Sequence, residues 1–261
     1  MNTELPKDVV SALENAAEEE TGRARRVLSV ILENLDVAER TRLPICQDTG
    51  TVIAFVDLGQ SVHIRGGCLA DAVEAGVADA YRRRHCRASV VSDPLFSRTN
   101  TGTNLPVVMH YKIHQGSRLQ ISLMAKGFGS ENCSRTYMLL PTDGPDGVIR
   151  AICETMRAAG GRPCPPVVLG VGVGGTLEHA AVLSKRALLR PLHRRHPVAT
   201  YADLEARALQ AVNSLGIGPG GLGGLHTALA VKIAEAPTHI AGLPVAITVC
   251  CWADRRAVVT I

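Results

Sequence analysis

Cys46-Gln47-Asp48-Thr49-Gly50-Thr51-Val52-Ile53-Ala54-Phe55-Val56 sets a polar loop directly in front of an apolar strand. Four consecutive positions carry a thiol, an amide, a carboxylate and a hydroxyl, and Gly50 lets the backbone turn tightly after them. The residues from Thr51 onward read as a strand, so the polar cluster lies at a strand end. Such loops are where rigid scaffolds commonly carry functional side chains. Taken alone, Cys46 reads more readily as a small buried hydrophobe and Asp48 as a turn residue. The rest of the chain reverses that reading.

On the N-terminal side, Val9, Val10, Leu13 and Ala16 recur at helical spacing, as do Val27, Val30, Ile31 and Leu35, so residues 7–40 read as helical. Beyond the loop, residues 69–84 read as a helix, 117–125 as a half-buried alternating strand and 145–159 as a helix stopped by Gly160-Gly161. Residues 167–173 are an apolar strand, Thr176 is placed to cap a helix over 177–190, and residues 200–215 are helical. Residues 244–249 read as the last strand. Helices alternating with strands predict an α/β fold, taken here as mixed β-sheets with flanking helices. The 261 residues show no repeat, low-complexity tract or linker. They read as one domain over 1–261, or as two α/β subdomains packed together.

Composition excludes several classes. Aromatics are only 3% of the chain, too few for a surface that stacks nucleic-acid bases. No apolar run reaches the roughly 18 residues of a membrane span, and the N-terminus has no signal-peptide character. A cytoplasmic protein is expected. Arg82-Arg83-Arg84 and the cluster from Arg190 to Arg195 read as solvated helix faces, while a net charge of +4 suits a small anionic substrate. The eight cysteines, Cys46, Cys68, Cys86, Cys133, Cys153, Cys164, Cys250 and Cys251, include no C-x-x-C pair. In a reducing compartment they are not a disulfide framework, and a metal site must be assembled from distant loops.

Gly170-Val171-Gly172-Val173-Gly174-Gly175 fits G-x-G-x-x-G and lies between a strand and a helix. The acidic residue that a dinucleotide fold needs about 20 positions on is absent: Arg194, Arg195 and His196 stand there. Close backbone packing, or an anion at a helix N-terminus, explains the glycines better. Asn100-Thr101-Gly102-Thr103-Asn104 reads as a polar surface loop. Lys126-Gly127-Phe128-Gly129-Ser130-Glu131-Asn132 can offer backbone N–H groups to a carboxylate. Cys164 is flanked by prolines that favour an extended backbone, which suits a rigidly presented thiolate and an ordinary loop equally. His239, in a loop before the strand 244–249, carries no site signal by spacing alone.

Four motifs occur in order: Cys46-Gln47-Asp48-Thr49-Gly50, Asn100-Thr101-Gly102-Thr103-Asn104-Leu105-Pro106, Lys126 to Asn132, and Cys251-Trp252-Ala253-Asp254-Arg255. The set resembles the iron–sulfur-dependent class I fumarase family, and within it the α subunit of the two-subunit members. Fumarases and L-tartrate dehydratases both belong to that family. The resemblance spans nearly the whole chain and implies a fold like the N-terminal domain of class I fumarases.

It also implies a 4Fe–4S cluster on Cys46, Cys164 and Cys251, with Cys133 and Cys250 structural. Three thiolates leave one iron without a protein ligand, free to act as a Lewis acid on a substrate hydroxyl. By the same resemblance, Gln47 and the backbone at Gly129 touch a substrate carboxylate, Arg87 pairs with one as well, Asp48 joins the proton-handling network and His239 approaches the substrate. The expected activity is reversible hydration of a C4 dicarboxylate of the fumarate/malate type, or dehydration of L-tartrate. The family's second catalytic domain is not in these residues, so a β subunit is the expected partner, in a dimer of αβ pairs. Two readings from other classes are a non-catalytic cluster- or ligand-binding module and a nucleotide-dependent oxidoreductase, the latter resting only on Gly170 to Gly175.

Overall fold

The computed structural model describes residues 1–261. In chain order the elements are α1 (Lys7–Glu19), α2 (Gly22–Thr41), β1 (Thr51–Gly59), α3 (Leu69–Arg83), β2 (Val108–His114), β3 (Leu119–Lys126), α4 (Phe128–Glu131) and β4 (Arg135–Leu139). There follow α5 (Gly144–Ala159), β5 (Val167–Gly174), α6 (Leu177–Ala187), α7 (Ala199–Asn213), β6 (Ala228–Ala236), β7 (Leu243–Cys250) and β8 (Arg256–Thr260). The architecture is α/β with two mixed sheets and flanking helices, as expected from the alternation of elements. The chain divides into two units. One comprises Met1–Pro6, Asn34–Phe128 and Arg255–Ile261, the other Lys7–Glu33 and Gly129–Asp254.

In the first unit the strand after the Cys46 loop is central. Val52 to Val56 are all buried, because β1 is covered on both faces. It runs parallel to β2 and antiparallel to β3, which pairs in turn with β8, giving the order β2-β1-β3-β8. Alternation along β1 sends Val52, Ala54 and Val56 into one cluster with Val77 and Tyr81 of α3. From the other face Phe55 stacks on His110, with ring centroids 5.1 Å apart.

The second unit has the order β4-β7-β5-β6, with β5 and β6 parallel and the other pairings antiparallel. Val167, Leu169, Val171 and Val173 of β5 point into a core with α5 and α7, through Ile152, Met156, Ala208 and Val212 among others. The opposite face of β5 is nearly bare, since Gly170 and Gly172 alternate with those valines. A Cβ at Gly172 would stand 2.0 Å from the Ala180 carbonyl oxygen, and one at Gly170 would stand 2.1 Å from that of Ser184. The glycines therefore let α6 lie directly on the strand, and this packing accounts for the G-x-G-x-x-G pattern. Gly172→Ala is expected to destabilise the protein by at least about 2 kcal/mol through overpacking. That corresponds to a fall in Tm of roughly 4–8 °C at this size. An unchanged Tm in a thermal melt would contradict this packing.

Four strands, β2, β4, β6 and β8, lie where the sequence pattern signalled none. Strand β7 is consequently not the last, since β8 follows it and completes the first unit's sheet. Helix α6 ends at Ala187 instead of residue 190: the N–H groups of Leu188, Leu189 and Arg190 bond three residues back, tightening the last turn. Thr176 occupies the N-cap position, but its hydroxyl bonds the Glu178 carboxylate and not the helix backbone. No helix is long and apolar enough to cross a membrane.

Candidate active-site loops

In the first unit the Cys46 loop is held from behind, and its side chains are left forward. Cys46 and Gln47 are exposed, Asp48 is half-buried, and Thr49 and Gly50 are buried. Asp48 accepts the Gly50 N–H at 3.0 Å on one oxygen and the Phe128 N–H at 2.7 Å on the other. That second bond ties the Cys46 loop to the Lys126-Gly127-Phe128 turn. Space at Gly127 is tight there, since a Cβ would lie 3.2 Å from both the Asp48 carboxylate and the Arg255 guanidinium. Arg255, 2% exposed, donates from Nη1 to the Asp48 carbonyl and to the Asn2 side chain, each at 2.7 Å.

The Tyr81 hydroxyl lies 2.8 Å from the Thr49 carbonyl and 2.9 Å from that of Gly50. Burial pushes the Tyr81 phenol above its ordinary value, which keeps it protonated as a donor. Arg87 is exposed, and its own carbonyl accepts the Thr49 hydroxyl at 2.6 Å. The first unit thus brings Cys46, Gln47, Asp48 and Arg87 onto adjoining loops.

The other expected site residues lie in the second unit. Cys164 is exposed and sits at φ +54, so its backbone is left-handed and not extended as the flanking prolines led one to expect. A non-glycine residue there costs on the order of 1–3 kcal/mol, and such strain clusters at functional sites. The Cys164 N–H is tied to the Gly161 carbonyl at 3.2 Å, and its own carbonyl accepts the Trp252 N–H at 3.4 Å. This second bond brings the Cys164 turn to Cys251. A cavity of about 480 Å³ opens beside Cys164, between Arg23, Arg26 and Val27 of α2 and Gly220, Leu222 and Trp252.

Cys250 and Cys251 have separate fates. Cys250 ends β7 at 3% exposure, its Sγ 3.8 Å from the Asp254 carboxylate. Cys251 stands one residue beyond the strand and is half-buried. Cys133 is buried in the second unit's core. Gly129 is exposed. His239 is exposed in the loop after β6 and accepts the Ala241 N–H on Nδ1 at 3.2 Å, which leaves its hydrogen on Nε2. That loop is fastened to the Gly174-Gly175 turn, with Thr238 donating to the Gly175 carbonyl at 2.8 Å.

None of the eight cysteines is joined in a disulfide. The three expected cluster ligands keep solvent access, and soft thiolates are the donors that iron–sulfur clusters take. By donor chemistry the set fits such a group. Within either unit no three His, Cys, Asp or Glu side chains converge on one point; Cys46 belongs to one unit, Cys164 and Cys251 to the other.

The profile of the family described as Fumarate hydratase (Fumerase) matches residues 1–260. A Methanocaldococcus jannaschii protein provisionally named L(+)-tartrate dehydratase subunit alpha is 42% identical over 260 residues, 97% of this chain and 91% of that relative. The L(+)-tartrate dehydratase subunit alpha of Escherichia coli strain K12 is 34% identical over 260 residues, 98% of this chain and 85% of its own length. The protein of that name from Shigella sonnei matches to the same extent. The chain belongs to the fumarate hydratase family and is a hydro-lyase chain of that family.

Proposed function

We propose that this chain is the alpha subunit of a two-subunit hydro-lyase that adds water to, or removes it from, a C4 dicarboxylate. In this reading a 4Fe–4S cluster is held by Cys46, Cys164 and Cys251. The observation that carries it is the Cys46 loop, whose thiol and amide are left exposed while its carbonyls are fastened by buried side chains. When bound, the cluster supplies a Lewis-acidic iron that polarises the substrate hydroxyl.

The chain's own residues do the rest. Arg87, exposed beside the loop, pairs with a substrate carboxylate, a task for which its planar fork suits it. The Gln47 amide and the Gly129 N–H donate to the same class of group. Asp48 uses one lone pair of each oxygen on backbone N–H groups, and the remaining lone pairs are available to take a proton. His239 presents Nε2–H as a donor to substrate.

L-Tartrate is the substrate that the names of the relatives support; fumarate and malate are what the family's description supports. L-Tartrate and malate both place a hydroxyl and a hydrogen on adjacent carbons between two carboxylates, so one site chemistry serves either.

The partner is a β subunit that supplies the second wall, including the carbon base, in a dimer of αβ pairs. A site with one wall stays wet, which weakens every charge interaction in it. The purified chain alone is expected to bind dicarboxylate weakly and to turn over little or none. Co-expression with the β subunit is expected to restore activity. Full hydratase activity from the homogeneous single chain would contradict the two-subunit reading.

A further inference from the structure

Asn104 is completely buried, at 0% exposure, although its polar loop reads from sequence as surface. Its backbone is left-handed at φ +62, a conformation that Asn tolerates. Both ends of its amide are used. Nδ2 donates to the Gly50 carbonyl at 3.0 Å, and Oδ1 accepts the Ser89 N–H at 2.8 Å. Gly50 closes the Cys46 loop, and Ser89 lies two residues beyond Arg87. Thr49, at 1% exposure, closes the same junction from the other side, its hydroxyl donating to the Arg87 carbonyl at 2.6 Å.

Two buried side chains therefore rivet the segment carrying Arg87 to the loop carrying Gln47 and Asp48. Gln47 and Arg87 are long and exposed, so the backbones beneath them fix where their heads can reach. We propose that Asn104 and Thr49 are positioning residues that set the spacing between Arg87 and the Gln47–Asp48 edge, and with it the length of dicarboxylate that is turned over well. The proposal rests on the reading of Arg87 and Gln47 as carboxylate-binding residues. Neither Asn104 nor Thr49 touches substrate; each acts through a main-chain carbonyl or N–H. Misplacement of a substrate group by about 1 Å can cost about 10²-fold in rate.

The test uses the anaerobically prepared complex with its β subunit and three readouts: cluster absorption, Tm, and kcat and KM on a C4 dicarboxylate and on its homologue one carbon longer. Asn104→Gly keeps the left-handed backbone, which glycine adopts freely, and removes the side chain with both of its amide hydrogen bonds. Thr49→Val removes the hydroxyl at nearly constant shape, while Thr49→Ser keeps it. Asn104→Gly and Thr49→Val are expected to retain the cluster absorption and to lose about 10–100-fold in kcat/KM on the C4 substrate. The preference for the C4 acid over its longer homologue should shrink with that loss. Thr49→Ser should stay near wild type.

Wild-type kcat/KM in both Asn104→Gly and Thr49→Val would overturn the proposal, as would an equal loss on both chain lengths. If Asn104→Gly fails to fold, the Thr49→Val and Thr49→Ser pair carries the same test. Arg87→Ala, measured in parallel, separates the two layers of the argument. An unchanged KM there would sink the carboxylate reading and the proposal with it. A raised KM there, beside wild-type behaviour in Asn104→Gly and Thr49→Val, would sink the positioning role alone.

Discussion

Cys251→Ser is expected to strip iron and sulfide from the anaerobically reconstituted complex and to abolish turnover, while Cys250→Ser leaves both nearly intact. The two thiols are adjacent in sequence, so composition and local charge cannot distinguish them. Their surroundings do: Cys250 is a buried strand residue near Asp254, whereas Cys251 lies past the strand end, half-buried and joined to the Cys164 turn through Trp252. Cys46→Ser and Cys164→Ser should behave like Cys251→Ser, because a serine hydroxyl is a poor substitute for a soft thiolate toward iron. Iron and sulfide analysis per chain reads the outcome directly. A full cluster in all three of those variants, or loss of the cluster only in Cys250→Ser, would show that the ligand set is wrong.

Asp48→Asn is expected to lower kcat by about 10²–10⁴-fold, the usual contribution of a placed proton-transfer group. The structure adds a second, smaller effect. Both carboxylate oxygens receive backbone N–H groups, from Gly50 and Phe128. An amide NH₂ must face one of them, and because the Phe128 N–H is solvent-exposed, water can meet the freed donor, so the loss stays below that of a fully buried unpaired group. Some loss of Tm is therefore expected alongside the loss of rate, and the iron content separates the two. A fall in kcat with iron intact assigns the effect to chemistry. A variant within a few-fold of wild-type kcat would remove Asp48 from the mechanism.

Much of the fold was legible because its signals are local. The valine-rich run from Val167 and the apolar periodicity of residues 145–159 and 200–215 need no partner to be recognised. The missed strands are those whose signal is not local. Strand β8 is short and largely exposed, and it exists as a strand through its pairing with β3 across more than a hundred residues of chain. Strand β2 is an edge strand with an exposed, mixed pattern.

The candidate site divides the same way. Cys46, Gln47 and Asp48 fall in one pentapeptide, and although Cys46 and Asp48 singly read as a buried hydrophobe and a turn residue, the four motifs in order single them out as candidates. Tyr81, Asn104 and Arg255 do not, because each acts on the Cys46 loop from 31 to 207 residues away and through its main-chain carbonyls. No spacing rule reveals such a contact. The left-handed backbone at Cys164 is likewise hidden, since the flanking prolines argue locally for the opposite conformation.

The most direct test of the central claim is a substrate assay in isotopically labelled water. The anaerobically reconstituted complex of this chain with its β subunit is given fumarate, and in the reverse direction malate and L-tartrate. A hydro-lyase must place label from water in the hydroxyl group of the hydrated product, and must release water from at least one of the hydroxy acids. Labelled malate from fumarate, or consumption of L-tartrate with loss of water, is the predicted result. A complex with full iron and sulfide that neither hydrates fumarate nor dehydrates either hydroxy acid would contradict the account.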